Sequence, residues 1–172
     1  MFVERYLKEP IQNDALKKGK IAFISGPRQV GKTTLSEQIL KSYKQPQNYF
    51  NWDDDDFRKL WLKSPKSIFE SLHFPLDQKA VVVLDEIHKH RLWKNTLKGL
   101  YDLKKKDILF LITGSARLDF YRKSGDSLQG RYFPYRLHPF TVGETNEIKP
   151  PPKNDWFEHS LHTYELEDLL EL

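Results

Sequence analysis

The sequence contains no cysteine, which excludes disulfide bonds and metal sites built from thiolates. It also lacks a long apolar run, because the longest ones, such as residues 80–84 and 108–113, fall far short of the roughly 20 residues that span a bilayer. The first ten residues are charged and include no apolar secretory stretch. These absences predict that the chain has no membrane-spanning segment and that it resides in the cytoplasm.

The charge that is present is mostly basic and unevenly spread. Over 172 residues, 28 Lys and Arg stand against 24 Asp and Glu, for a net charge of +4. Residues 155–172 hold six of the acids and neither Lys nor Arg, so the rest of the chain has 28 bases against 18 acids. A basic body attracts nucleic acid or nucleotides, and charge alone does not choose between them. The basic residues between 89 and 106 fit a nucleic-acid face or the solvated side of a helix.

Apolar strands alternate with helical patterns from Lys20 onward. Uninterrupted apolar strands are buried on both faces, so the alternation predicts an α/β fold of three layers: a central, mostly parallel five-stranded sheet flanked by helices. Pro134 assigns the fifth strand to an edge. The predicted strands occupy residues 20–25, 47–52, 80–86, 107–115 and 132–140, and the predicted helices residues 32–43, 57–62, 68–72 and 93–101.

Four segments follow from this pattern. Residues 1–19 form a lead-in whose partly apolar helix is interrupted by Pro10, and residues 20–143 form the α/β core. Residues 144–155 include three consecutive prolines and are predicted to be a linker. Residues 156–172 form an acidic helical segment whose leucines need a partner, either a further part of the protein or another chain.

Residues 26–33 read GPRQVGKT between an apolar strand and a helix, which is the G-x-x-x-x-G-K-T pattern of a phosphate-binding P-loop. Lys32 is predicted to reach the β- and γ-phosphates, Thr33 to offer its hydroxyl to Mg²⁺, and Thr34 to support the α-phosphate side. A glycine-rich turn that only joins strand to helix is the alternative. The remaining predicted phosphate contacts are Gly26, Pro27, Arg28, Gln29, Val30 and Gly31.

Two acids end the strand of residues 81–86. Asp85 is predicted to hold Mg²⁺ through its water shell, and Glu86 to act as the general base that activates water. An ordinary helix N-cap is the alternative. Thr113 and Ser115 end another buried strand, at the sheet edge where ligands bind in α/β folds, so either hydroxyl is a candidate sensor of the γ-phosphate. The alternative there is a turn built by Gly114.

Three stretches together resemble one family: GPRQVGKTTL, LDEIHKHRLWKNTLKGLYD and TGSARLDFYRKSGDSLQGRYFPYRLHPFT. They are similar to a family of prokaryotic AAA-type (AAA+) ATPases, whose members carry an ATPase core followed by a C-terminal domain of unknown function. The resemblance runs from about Lys20 to Thr141. It implies Walker A and Walker B strands that flank a sensor strand. It also implies that this chain, ending at Leu172, is truncated.

The resemblance further implies a function. Lys32 and Glu86 take the roles given above, Thr113 serves as the sensor, and Arg131 is an arginine finger that acts on a neighbouring subunit of a homo-oligomer. A surface salt bridge is the alternative for Arg131. The expected activity is hydrolysis of ATP with Mg²⁺, and the absence of an Asn-Lys-x-Asp guanine signature favours ATP over GTP. A truncated module that binds ATP and hydrolyses it poorly is the second reading. A P-loop kinase is the third.

Two clusters are interpreted as non-catalytic. Residues 53–56 are four consecutive acids that cannot all point inward, and a solvated turn is predicted for them. The histidine pairs 88/90 and 159/162 lack further ligands and are not predicted to bind metal.

Overall fold

A computed structural model describes residues 4–76, 78–115 and 128–146. The chain divides into two compact units, one spanning Arg5–Phe140 and the other containing Met1–Glu4 and Thr141–Leu172. The sheet lies in the larger unit. The acidic segment 156–172 lies outside the described residues.

The larger unit is built on a five-stranded sheet, and every strand pairing within the described residues is parallel. Across the sheet the order is β2-β3-β4-β1-β5, so β4 lies between β1 and β3, and β5 is an edge strand. The predicted α/β fold is confirmed. In chain order the strands are β1 (Ile21–Gly26), β2 (Tyr49–Asn51), β3 (Ala80–Asp85), β4 (Ile108–Ser115) and β5 (Tyr132–Arg136).

Helical segments occupy the connections between the strands. In chain order they are α1 (Lys8–Pro10), a π-helix (Ile11–Leu16), α2 (Lys32–Ser42), α3 (Asp55–Lys63), a 3-10 turn (Pro65–Ser67), α4 (Ile68–Ser71), a second 3-10 turn (Ile87–Lys89) and α5 (Trp93–Lys104). Each long helix begins and ends within two residues of its predicted bounds, apart from α5, which continues to Lys104.

Two apolar cores lie on the two faces of the sheet, because successive strand residues point to opposite sides. On one face Phe23 and Val82 pack in a buried cluster with Trp61 of α3 and with α5. On the other face Ala22 packs in a second cluster with Leu35 of α2 and with the π-helix. The strands are therefore buried on both sides, which explains their uninterrupted apolar sequences.

The edge of β3 is only partly covered by β2. Before β2 begins, two fully buried amides take its place: Gln45 Oε1 accepts a hydrogen bond from the Val81 N–H at 2.8 Å, and Asn48 Nδ2 donates to Gln45 Oε1 at 3.0 Å. The Asn48 backbone carbonyl accepts from the Val83 N–H at 2.9 Å. The Gln45 side chain thus satisfies a backbone group of β3 that a longer β2 would have satisfied.

The lead-in differs from its prediction at Pro10. The backbone stays helical through this residue and changes from α to π at Ile11. Pro10 lies in the first turn, where a helix leaves its N–H groups without intrahelical partners, so the missing N–H breaks no hydrogen bond. The π-helix buries Ile11, Ala15 and Leu16.

In the smaller unit the helix Val142–Thr145 begins with a capping box. Glu144 N–H donates to the Thr141 hydroxyl at 3.1 Å, and the Thr141 N–H donates to the Glu144 carboxylate at 2.9 Å. This reciprocal pair satisfies two N–H groups at the start of the helix.

Candidate functional site

The loop between β1 and α2, residues 26–31, is called here the glycine loop. A Cβ at Gly26 would collide with the backbone carbonyl oxygen of Leu137, so only glycine fits the close approach of these two segments. Gly31 has φ +92° and starts α2 from the left-handed region, where a side chain is strained. The two glycines therefore set the shape of the loop and the direction in which α2 leaves it.

Lys32, the first residue of α2, folds back over the glycine loop. Its Nζ donates to the carbonyl oxygens of Gly26 at 3.1 Å and Pro27 at 2.6 Å. Burial lowers the pKa of Lys32, and the carboxylates of Glu86 and Asp85 act in the opposite direction. The side chain is 9% exposed, so the ammonium group places a positive charge close to the N-terminus of α2, where the helix dipole also favours an anion.

The Asp85 carboxylate, 4% exposed at the end of β3, is surrounded by hydroxyl groups from three other elements. Oδ1 accepts a hydrogen bond from Thr113 of β4. Oδ2 accepts from Thr33 of α2 at 3.4 Å and from the phenol of Tyr49 on β2. Burial, together with the hydrogen bond to Asp85, raises the pKa of Tyr49 above its ordinary value. The sequence did not point to Tyr49.

Glu86 follows Asp85 in a left-handed backbone conformation, with φ 56° and ψ 16°. This conformation is uncommon for a residue with a side chain and costs on the order of 1–3 kcal/mol. The Glu86 N–H donates to the Thr113 carbonyl at 3.0 Å, which ties the turn to β4. Its Oε2 lies 3.7 Å from His88 Nε2 and 3.6 Å from Lys89 Nζ.

Asp85, Glu86 and the first residues of the glycine loop border a cleft of about 960 Å³ at the carboxyl edge of the sheet. Parallel strands bring their carboxyl ends to the same edge, and in open α/β sheets this is where ligands bind. Ser115 Oγ lies 3.3 Å from His88 Nε2, so the second candidate sensor faces the same cleft. The lining residues are Gly26, Pro27, Arg28, Asn51, Asp53, Asp85, Glu86, His88, Lys89 and Ser115.

The structure thus brings together Lys32 and Thr33 of α2, Asp85 of β3, Thr113 of β4, and Glu86 in the turn after β3. Of the remaining predicted residues, Val30 is buried. Gln29 is exposed and has φ 61°, and Thr34 is exposed on the first turn of α2.

Arg131 does not join this group. It directly precedes β5, and its carbonyl accepts from the N–H of Ile21, the first residue of β1, so it lies at the amino edge of the sheet. Its guanidinium binds both carboxylate oxygens of Asp102 on α5, at 3.0 and 3.1 Å. Arg131 therefore cannot reach the cleft of its own chain, because the length of the sheet separates the two.

A buried arginine that the sequence did not reveal supports the glycine loop. Arg5 is 5% exposed, and its Nη1 donates to the carbonyl oxygen of Val30 at 2.9 Å. Its Nη2 donates to the carbonyl of His138, and the guanidinium lies 4.2 Å from the centre of the Phe140 ring. Arg5 thereby ties the lead-in, the loop and the segment after β5 together.

The acidic run 53–56 is not a uniform solvated turn. Asp54 caps α3, since its Oδ1 accepts from the N–H groups of Asp56 at 2.8 Å and Phe57 at 3.2 Å. Asp53 faces the cleft and binds Lys89. An acid before a helical run is a capping signal that the sequence does show, whereas the partner of Asp53 depends on tertiary structure.

Among the described residues, no group of three or more His, Asp or Glu side chains is arranged to hold a metal ion. His90 instead packs against Trp52, with ring centres 5.1 Å apart, and burial lowers its pKa. The pair 159/162 lies outside the described residues. Within them, no helix is both long enough and apolar enough to cross a bilayer.

A family model, a protein of similar sequence and a solved structure match this chain. The model of a family described as AAA domain matches residues 18–146. The uncharacterized protein MJ1637 of Methanocaldococcus jannaschii is 34% identical over 143 residues, which cover 78% of this chain and 28% of that protein. The chain therefore spans well under half the length of this relative. A DNA polymerase III gamma subunit-related protein from Thermotoga maritima shares the fold, with a TM-score of 0.51 and 13% identity over 96% of this chain and 55% of that one.

Proposed function

The chain belongs to the AAA domain family, whose model covers residues 18–146, and we propose that it binds ATP with Mg²⁺ and hydrolyses it to ADP and phosphate. The observation that carries this proposal is the meeting of four side chains at the carboxyl edge of the sheet. Asp85 and Glu86 line the cleft, and Thr33 donates a hydrogen bond to Asp85. Lys32 donates to the carbonyls of Gly26 and Pro27, which line the same cleft. Phosphate hydrolysis needs a cation for the phosphates, oxygen ligands for a metal and a base for water. The four side chains provide these groups at one site.

The glycine loop fits a chain of phosphates. Its glycines remove side chains from the inner surface, and the N-terminus of α2 presents N–H groups toward the same place. The Lys32 ammonium is now held by two loop carbonyls. We expect it to exchange these neutral acceptors for phosphate oxygens when ATP binds, since charged acceptors form the stronger hydrogen bonds.

The donor set also suits Mg²⁺, which prefers oxygen ligands and is usually bound through one or two carboxylates together with substrate phosphates. The Thr33 hydroxyl and the Asp85 carboxylate are the groups that would hold it, and they already lie 3.4 Å apart. When bound, the ion would neutralise charge on the phosphates.

Glu86 is the proposed general base. Its left-handed backbone directs it from the end of β3 into the cleft, next to Asp85. Strained backbone at a cleft is a common property of functional residues. Thr113 donates a hydrogen bond to Asp85 and is proposed to orient it, and Ser115, which lines the cleft, is proposed to contact the γ-phosphate.

A second candidate function is ATP binding with slow hydrolysis. It is favoured by the position of Arg131, which is paired with Asp102 at the far edge and supplies no charge to its own cleft. If a finger is needed, it comes from a neighbouring copy, and we propose a homo-oligomer for full activity.

The test is phosphate release from ATP and Mg²⁺ by the parent, Lys32→Ala and Glu86→Gln. Lys41→Ala is the matched control, because it removes an exposed lysine from the other end of the same helix. Loss in both site variants, with normal rates in the control, supports the proposal. A Glu86→Gln variant as fast as the parent would exclude Glu86 as the base.

Protein concentration separates the two candidates. Turnover per chain that rises with concentration indicates a site completed by a neighbouring copy. ATP binding that is lost in Lys32→Ala, with no turnover at any concentration, indicates the binding module instead.

A further inference from the structure

Lys89 lies between two carboxylates at the mouth of the cleft. Its Nζ is 2.6 Å from both Oδ1 and Oδ2 of Asp53, and 3.6 Å from Oε2 of Glu86. We propose that Lys89, itself held by Asp53, is a positioning residue that holds the Glu86 carboxylate in the orientation that takes a proton from the water attacking the γ-phosphate. This inference rests on the proposed function, because it assigns a role toward the general base.

The backbone holds the two ends of this arrangement in place. Lys89 ends the short 3-10 turn that follows Glu86, its N–H donates to the Glu86 carbonyl at 3.0 Å, and the fully buried Ile87 anchors the turn in the core. Asp53 follows β2, and its N–H donates to Asn51 Oδ1 at 3.0 Å. The Lys89 ammonium group therefore lies between two fixed segments, the turn after β3 and the residues that follow β2.

Positively charged and polar groups on one side of the Glu86 carboxylate fix its orientation. Hydrogen bonds to Asp53 raise the pKa of Lys89, which keeps the amine protonated. Both His88 and Lys89 approach the same atom of Glu86, Oε2, at 3.7 and 3.6 Å. Two contacts on one oxygen restrict the rotation of the carboxylate, so that Oε1 is left to accept the proton of the attacking water.

Stability alone does not account for this pair. The Lys89 and Asp53 side chains are 42% and 58% exposed, and exposed ion pairs contribute little to folding. A second exposed pair, Lys59 with Asp56 at 3.4 Å on α3, has the same chemistry away from the cleft lining and serves as the matched control.

The experiment measures kcat and KM for ATP with Mg²⁺ in Lys89→Gln, Asp53→Ala, the double variant and Lys89→Arg, beside the control Lys59→Gln. We expect Lys89→Gln to lower kcat roughly 10-fold, as small misplacements of a reacting group do, with KM within about twofold of the parent. Asp53→Ala should lower kcat in the same direction. Because Asp53 acts through Lys89, the double variant should be no slower than Lys89→Gln.

Rescue and binding provide readouts that a purely structural role would not move. Lys89→Arg keeps the charge and should recover most of kcat. Affinity for a fluorescent, non-hydrolysable ATP analogue should be unchanged in Lys89→Gln. A weaker affinity or a raised KM at constant kcat would overturn the proposal, since Lys89 would then bind the phosphates themselves.

The remaining outcomes are also decisive. If kcat in Lys89→Gln matches that of Lys59→Gln and of the parent, the positioning role of Lys89 is rejected. The proposed hydrolysis of ATP is not affected by that result. If the reductions in kcat of the two single variants multiply in the double variant, Asp53 does not act through Lys89. A parent without turnover under any condition rejects the proposed hydrolysis, and the role of Lys89 with it.

Discussion

Removing the Tyr49 hydroxyl tests how the Asp85 carboxylate is stabilised. Asp85 is 4% exposed, and the Tyr49 phenol is one of the donors to its Oδ2, the other being Thr33 at 3.4 Å. A hydrogen bond to a charged group contributes about 1.5–3 kcal/mol. Since Thr113 still binds Oδ1, we expect Tyr49→Phe to lower the free energy of unfolding by about 1.5 kcal/mol, at the lower end of that range.

Urea denaturation can measure this loss, because the indole rings of Trp52, Trp61 and Trp93 are at most 8% exposed and their fluorescence should change on unfolding. Tyr101→Phe is the control, since it removes a phenol that donates to the neutral carbonyl of Gly19 at 2.8 Å. Neutral hydrogen bonds contribute about 1 kcal/mol, so the control should lose less. A Tyr49→Phe variant as stable as the parent, or no less stable than Tyr101→Phe, would refute the reasoning.

The same variant has an opposite effect on ligand binding. The Tyr49 phenol donates a hydrogen bond to Oδ2 of Asp85, the residue whose carboxylate is proposed to hold Mg²⁺. Without the phenol, ATP with Mg²⁺ should raise the melting temperature of Tyr49→Phe by more than that of the parent, because stabilisation by a ligand grows with the logarithm of its affinity for the folded state. A smaller rise would mean that Tyr49 supports the metal site.

Three further changes address other contacts. Gly26→Ala places a Cβ against the backbone carbonyl of Leu137, and no side-chain rotation relieves this clash. We expect the free energy of unfolding in urea to fall by roughly 1–3 kcal/mol and ATP binding to be lost in titrations. Arg5→Met leaves the buried carbonyl of Val30 and the partly buried carbonyl of His138 without this donor. It should cost roughly 2 kcal/mol while raising KM for ATP, and an unchanged KM would exclude a role for Arg5 in shaping the glycine loop. Burial raises the pKa of Tyr135 from 10.0 to about 12, so the unfolded chain releases this proton first, and the stability of the parent relative to Tyr135→Phe should decline as the pH rises through that interval. A difference that stays constant across it would contradict the assigned pKa.

The core of the fold was predictable because its signals are local. The apolar runs of β1, β3 and β4 mark strands buried on both faces, and Pro134 marks an edge strand. Lys32 and Glu86 lie next to such strands in the sequence, so their meeting at one edge follows from the parallel arrangement.

The contacts that depend on register were not predictable. Tyr49 reaches Asp85 because β2 pairs with β3 so that Asn51 lies beside Asp85, and a three-residue strand carries no pattern that fixes this register. The bond between Lys89 and Asp53 likewise joins two segments that are 36 residues apart.

The position of Arg131 is a different case. It directly precedes β5, and a residue that begins a parallel strand lies at the edge opposite the ligands. The sequence therefore already contained the signal that Arg131 is remote from the site of its own chain. A role toward a neighbouring subunit stays a prediction.

The two sheet edges limit how copies of this protein can associate. An open edge strand invites another chain to add a strand, which leads to aggregation. In the part of the chain that the structure describes, β2 has only three residues, the amide of Gln45 occupies a backbone N–H of β3 beyond it, and Pro134 removes an N–H group from β5. Assembly of this protein should therefore proceed through helices and loops, and high concentrations should give discrete oligomers in preference to fibrils.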